Sequence, residues 1–143
     1  MIVPDVNVLV YAFDRDAADH DPYLGWLEAA LVDDEPVGVT DHVLAGFVRV
    51  VTHPRVLIRP ASVDAAFAFA TAVRSAPASV PLGPGERHWT IFERLCRSAG
   101  ARGNLVPDAW LAALAIEAGA ELITTDRDFA RFDGLRWRPP FAP

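Results

Sequence analysis

Short apolar runs alternate with stretches of helical periodicity from one end of this chain to the other, and few architectures accommodate that alternation. Ile2-Val3 is an apolar start broken by Pro4. Asp5-Val6-Asn7-Val8-Leu9-Val10-Tyr11 follows as a buried strand running into a helix, which puts Asp5 and Asn7 at the strand's C-terminal end. Tyr23, Leu24, Leu27, Ala30 and Leu31 recur at helical spacing between His20 and Leu31, and Val37 to Thr40 reads as a second strand. Asp41 is placed to cap a helix through Val51, with Val43, Phe47, Val50 and Val51 inward and His53-Pro54 closing it. Ser62 caps a helical body reaching Arg74, Ser79 to Leu82 is a short strand, and Glu86 to Ala99 is an amphipathic helix stopped by Gly100. Pro107 opens and Gly119 closes the next helix. Glu121 to Thr125 is a strand, Asp126 to Phe132 a short helix and Leu135 to Trp137 a last strand, before a proline-rich surface tail from Arg138 to Pro143. Helices between strands imply an α/β fold with a mostly parallel sheet, and without repeat or linker the expectation is one domain over residues 1–143.

At 143 residues, 52% of them hydrophobic, the chain can bury a core without disulfides or a structural metal. Cys96 is alone. It falls on the face Trp89, Phe92, Leu95, Cys96, Ala99, the place of a core thiol in a reducing compartment. All 13 basic residues are arginine, which excludes a Gly-Lys-Ser/Thr phosphate loop, Schiff-base chemistry and phosphotransfer sites that need an ammonium. A net charge of −6 argues against nucleic-acid binding by bulk basicity, yet leaves room for a nuclease whose carboxylates surround cations. Neither a leader-like start nor a membrane-length apolar run is present, so the expected location is the cytoplasm.

Of the acidic residues 19 in number, three aspartates occupy comparable places. Asp5 follows the first strand, Asp126 follows the strand that begins at Glu121, and Asp108 stands in the first turn after Pro107. In an open parallel sheet ligands bind beyond the carboxyl ends of the strands, where helix N-termini also point. Three carboxylates converging there repel one another unless a hard cation neutralises them, and the expected ion is Mg²⁺ or Mn²⁺. Such a site suits phosphodiester hydrolysis by a metal-activated water. Singly, each aspartate also has a structural explanation: Asp5 and Asp126 as helix caps, Asp108 as a first-turn residue favoured by the helix dipole. Asp128 is either an outer ligand or part of a solvated turn.

Three blocks then carry a resemblance: Ile2-Val-Pro-Asp5-Val-Asn7-Val-Leu9, Arg102-Gly-Asn-Leu-Val-Pro-Asp108-Ala-Trp-Leu-Ala-Ala-Leu-Ala115, and Thr125-Asp126-Arg-Asp-Phe-Ala-Arg-Phe132. In this order and spacing they resemble PIN-domain ribonucleases, and within them the VapC toxins of type II toxin–antitoxin pairs. Phe47-Val-Arg49 with Thr52-His-Pro-Arg55 is similar to a segment of one subgroup. The resemblance implies a three-layer α/β/α sandwich with a short, mostly parallel sheet, and metal-dependent endonucleolytic cleavage of RNA, with tRNA or ribosomal RNA the usual targets. It implies that Asp5 and Asp108 hold Mg²⁺ or Mn²⁺, that Asp126 completes the cluster, and that Asn7 orients it. It further implies a homodimer restrained by a cognate VapB antitoxin.

One position departs from the pattern. Many relatives carry a glutamate where Gly46 stands, so a second metal site is in question, with Asp41 and Glu86 the candidates to replace it. Two competing readings follow: a catalytically weak RNA- or antitoxin-binding module, and a haloacid-dehalogenase-like phosphatase. The phosphatase expects an aspartate at Asn7 and a lysine downstream, and this chain has neither. Arg49, Arg102 and Asn104 are candidate phosphate contacts. His20, His42, His53 and His88 show no ligand spacing and read as structural or surface residues. Trp26, Trp89, Trp110 and Trp137 read as packing residues.

Overall fold

The computed structural model describes residues 1–141 and contains five strands and six α-helices in strict alternation of short strand and helical connection. The strands are β1 (Ile2–Pro4), β2 (Val37–Val39), β3 (Ser79–Pro81), β4 (Glu121–Ile123) and β5 (Trp137–Arg138). The helices are α1 (Val6–Phe13), α2 (His20–Ala30), α3 (Asp41–Val51), α4 (Val63–Arg74), α5 (His88–Ala99) and α6 (Leu105–Ala118). A 3-10 helix spans Arg127–Arg131. The sheet is parallel throughout, in the order β3-β2-β1-β4-β5.

Parallel strands need crossovers, and here each crossover supplies helices to a face. α1 packs on α2 and α3, and α3 on α4, while α5 pairs with α6, so the sheet lies between two helical layers. The three-layer sandwich follows. Every residue of β1 and β2 is buried, as strands covered on both faces must be. α6 is apolar nearly all round, with seven residues from Leu105 to Ala115 out of solvent.

Several boundaries differ from the sequence expectation for local reasons. Pro4 does not break β1 but ends it, registered against Ile123, at a point where β2 is no longer paired and a ring without N–H costs nothing. Thr40, not Asp41, caps α3, its hydroxyl accepting from the His42 N–H at 3.3 Å. α6 begins two residues before Pro107, which therefore sits in the first turn, where a missing donor is also harmless. β4 stops at Ile123, and β5 is shifted to Trp137–Arg138.

Trp89 is 68% exposed and Cys96 only half-buried, so the face of α5 that packs is narrower than its apolar pattern. The tail is not free: Pro140 is buried and Phe141 meets Tyr23 edge-on at 5.0 Å, while residues 142–143 lie outside the described part. Among the described residues no helix is long and apolar enough to cross a membrane.

The two helices of the second layer are pinned by one carboxylate. Glu117 on α6 accepts hydrogen bonds from the Gly85 and Arg87 N–H groups at 2.7 and 2.9 Å, just before α5. Arg87 caps α5 and has no side-chain cap of its own, so Glu117 satisfies a donor that the local sequence leaves open. A Cβ on Gly85 would stand 2.7 Å from Glu117 Oε1, so a larger residue there would push the carboxylate off its two donors. These hydrogen bonds hold the Glu117 carboxyl below its ordinary 4.5. A depressed carboxyl pKa contributes stability above the unfolded value and loses it as pH falls through the folded one. Glu117→Ala is therefore expected to lower the Tm at pH 7 by about 4 °C, for a cap worth about 1 kcal/mol. The gap between variant and parent should narrow as pH falls below 4.5, as measured by thermal unfolding followed by circular dichroism.

Candidate functional site

The strand order places a reversal between β1 and β4: the chain leaves β1 toward β2 on one side and returns to its other side only with β4. At such a switch point the connections after the two strands run to opposite faces and leave a crevice. Asp5 is the first residue beyond β1, and Asp126 lies three residues beyond the end of β4. Asp108 enters from the first turn of α6. All three line one cleft of about 740 Å³, together with Asn7 from α1, Asn104, and His42, Gly46 and Arg49 from α3.

Asp5 is held at both oxygens. Oδ1 accepts from the Val6 N–H at 2.7 Å, capping α1, and Oδ2 accepts from the Thr124 hydroxyl at 2.8 Å. Thr124 is wholly buried, and its oxygen in turn accepts from the Asp126 N–H at 3.0 Å. One hydroxyl thus ties the ends of β1 and β4 together. Asp126 caps the 3-10 helix by accepting from the Asp128 N–H at 2.8 Å. The capping explanation of Asp5 and Asp126 therefore holds, and the same geometry that caps also turns both carboxylates into the cleft.

The electrostatics record the crowding. Burial pushes the Asp5 carboxyl up, against the lowering effect of its hydrogen bonds to Thr124 and Val6, and the charge of Asp126 adds to the rise. Asp108 is pushed up to about 6, first by burial, then by the charges of Asp5, Asp126 and Asp128. Asp128 is exposed and acts on Asp108 through charge. Among the described residues no three or more His, Cys, Asp and Glu side chains already close into a cation cage. The donor set is nonetheless hard oxygen, and its mutual repulsion is what a divalent cation relieves.

The remaining candidates divide. Arg49 and Asn104 line the cleft, whereas Arg102 and Glu86 do not, and Asp41 faces away in an ion pair with Arg74 at 3.2 Å. Neither acidic candidate fills the place of Gly46. A Cβ on Gly46 would lie 2.9 Å from Val6 Cγ2, so the position is the close contact of α3 with α1. Asn7 lines the cleft, but the hydrogen bond that orients Asp5 comes from Thr124.

Two residues of the site carry little mark in the sequence. Thr124 falls within the expected strand, and its only signal is its place two residues before Asp126. His42 shows no ligand spacing, yet it lines the cleft with its ring stacked on Trp110 at 4.5 Å and 24°.

Comparison with known proteins agrees with this fold. The PIN domain family model matches residues 2–135. The chain is 50% identical over 140 residues to VapC ribonuclease Mb2897 of Mycobacterium bovis, covering 98% of this chain and 95% of that one. It is 40% identical over 141 residues to ribonuclease VapC25 of Mycobacterium tuberculosis, covering 98% and 99%. Among solved structures it is similar to VapBC2 of Rickettsia felis, bound to a promoter DNA fragment, with a TM-score of 0.71 at 20% identity over 97% of this chain and 98% of that one. It is also similar to the sarcin–ricin loop cleaving toxin VapC20 of M. tuberculosis, with a TM-score of 0.65 at 18% identity over 95% and 99%.

Thr124→Val keeps the side-chain shape but removes the donor to Asp5 and the acceptor for the Asp126 N–H. It is expected to cost about 1–3 kcal/mol in urea unfolding, because buried partners are left unmet. Thr124→Ser, which retains the hydroxyl, should lose much less; a loss in Thr124→Ser that Thr124→Val does not share would mean that the methyl packing matters instead.

Proposed function

The chain belongs to the PIN-domain family of VapC ribonucleases, and from that premise we propose that it is the toxin of a type II toxin–antitoxin pair, a Mg²⁺-dependent endoribonuclease of tRNA or ribosomal RNA. The observation that carries this is the convergence of Asp5, Asp108 and Asp126 at the β1/β4 switch point, with Asp108 pushed up to about 6 by burial and then by the charges of its neighbours. One domain over residues 1–143 bears the site. Asp5, Asp108 and Asp126 are the catalytic and metal-holding residues, with Mn²⁺ an alternative ion. A bound divalent cation lowers the pKa of its water and neutralises charge growing on the phosphate.

The protein's part is to prepare that site. Asp5 is a fixed anchor, because both its oxygens are engaged by groups that themselves cannot move. Asp108 has no hydrogen bond depressing its pKa and is raised by burial and three neighbouring charges, so its carboxylate gains most from a cation. Arg49 and Asn104, which line the same cleft, are the residues offered to RNA phosphate or sugar. A homodimer, restrained by a VapB-type antitoxin in the cytoplasm, is the state this reading expects, and the VapBC2 structure supports the antitoxin partner.

The catalytically weak binding module rested on the missing carboxylate at Gly46. The 2.9 Å approach of Val6 gives that glycine a packing role, and none of the three aspartates depends on it. Val6 is β-branched and helical, so its methyl has little freedom to turn aside. Gly46→Ala should therefore fail to deliver the usual gain of about 1 kcal/mol from replacing a helical glycine. The gain should appear when the substitution is made in a Val6→Ala background, a comparison read by urea unfolding.

The decisive experiment is incubation of bacterial total RNA with the purified, antitoxin-free protein in Mg²⁺, in Mn²⁺ and in EDTA, beside Asp108→Asn. Discrete fragments that require both metal and Asp108 are expected, and their ends map the target. In EDTA at neutral pH, Asp108→Asn should also raise the Tm, by roughly 2–5 °C, since one source of repulsion is gone. A folded protein that cuts no better than the variant would transfer the weight to the binding module.

A further inference from the structure

The face of α3 that borders the carboxylate cleft is built from His42, Ala45, Gly46 and Arg49, positions that recur on one side of a helix. His42 and Arg49 stand at opposite ends of this stripe, about 10 Å apart along the axis. Between them the side chains are small.

His42 is the outer leaf of a column of rings. Its imidazole lies nearly flat on Trp110 at 4.5 Å and 24°. Trp110 meets His88 at 4.5 Å, and His88, only 3% exposed, is anchored through Nε2 to the Trp110 carbonyl at 2.9 Å. The buried end is fixed and the outer end is exposed. Trp110 is two residues beyond Asp108 on α6, so the same helix that delivers the carboxylate also sets the column's position beside it. Burial against this column, and the neighbouring His88, push the His42 pKa below its ordinary 6.5, which keeps the ring uncharged at neutral pH.

A chain of net charge −6, with three carboxylates in the cleft, gains little affinity for RNA from its overall field. Affinity must come from contacts that do not require bulk basicity. Stacking of a base on an aromatic ring is such a contact, and a single unpaired arginine is another. Arg49 makes no ion pair among the described residues.

We infer that His42, backed by Trp110, is a platform on which an unpaired base of the RNA stacks beside the carboxylate cluster, while Arg49 at the other end of the α3 stripe holds a phosphate of the same strand. The inference rests on the reading of this cleft as a ribonuclease site and adds which residues hold the strand there: a ring that can take only an unstacked base, and a guanidinium for its backbone. His42 and Arg49 are in this account substrate-positioning residues and leave the chemistry to the aspartates.

The test is binding of a short fluorescein-labelled single-stranded RNA of randomised sequence, and of a duplex of the same length, followed by anisotropy. The measurement is made in Mg²⁺ with Asp108→Asn as the parent, so that no strand is cut. The parent should prefer the single strand. His42→Ala and His42→Leu should each weaken its binding by about 5- to 100-fold, the range for losing one stacked base, and His42→Phe should stay within a fewfold of the parent. Arg49→Ala should weaken binding and reduce the slope of log K against log salt by about 0.7. The leucine variant preserves bulk against Trp110, so the comparison survives if alanine disturbs the fold.

Equal binding by parent, His42→Ala and His42→Leu would overturn the platform, as would a parent that binds no single-stranded RNA. A His42→Phe variant of the otherwise native protein that binds normally but loses kcat as fully as His42→Ala would overturn it in favour of proton transfer. Native protein that cuts RNA with a KM indifferent to His42 sinks the platform alone. His42-dependent binding without metal-dependent cutting sinks the ribonuclease reading alone.

Discussion

A single buried hydroxyl holds together two strand ends that lie 119 residues apart in the chain. Thr124 Oγ1 donates to Asp5 and accepts from the Asp126 N–H, at the one place in the sheet where the chain order reverses. Without that link β1 and β4 would still pair, since their register is set by backbone hydrogen bonds from Ile2 to Pro4. What would be lost is the fixed direction of Asp5. A carboxylate that is nearly buried needs its oxygens satisfied, and the Val6 N–H can serve only one of them. The site therefore depends on a residue that holds no ion and touches no substrate.

The cluster is costly in its resting form, and the fold distributes that cost unevenly. Asp5 has two hydrogen bonds to offset burial, and Asp126 takes its own from the Asp128 N–H. Asp108 has none, and it is Asp108 whose pKa rises to about 6. Burial and the charges of Asp5, Asp126 and Asp128 together fall on that one carboxylate, a cost that a bound cation would relieve. That asymmetry is what the proposed metal role expects and a row of helix caps does not. Caps alone would leave each aspartate with a depressed pKa, as Glu117 shows at the start of α5.

Much of this was legible in the sequence because strand ends and helix starts carry strong local marks. The positions of Asp5, Asp108 and Asp126 follow from a proline, a glycine and the apolar runs between them, and the α/β order follows from their alternation. The tertiary contacts were not legible. Thr124 looks like one more strand residue until β1 is known to lie beside β4, and Glu117 looks like a surface residue of α6 until Gly85 is seen to approach it. Trp89 shows the opposite case: it stands six residues before Leu95, about 120° round α5, so the face that buries His88 and Leu95 leaves it in solvent. Asp41 and Thr40 compete for one cap with equally suitable side chains, and only the backbone geometry decides between them.

Gly46 shows most clearly how one residue type can be read two ways. Against a family pattern it is a lost carboxylate, and by helix propensity it is a weak point in α3. In the structure it is the contact that lets α3 approach Val6 on α1, and this approach narrows the wall of the cleft. A side chain there would separate the helices, and it would also occupy the space between His42 and Arg49. The two effects have the same origin, because α1 carries Asp5 at its cap and α3 carries the ring and the guanidinium. Closer packing of the two helices sets the width of the cleft between the three aspartates and the face of α3 that carries His42 and Arg49. On the proposed reading Gly46 then serves as wall in place of ligand: three aspartates would hold the cation, and the α3 face between His42 and Arg49 stays smooth.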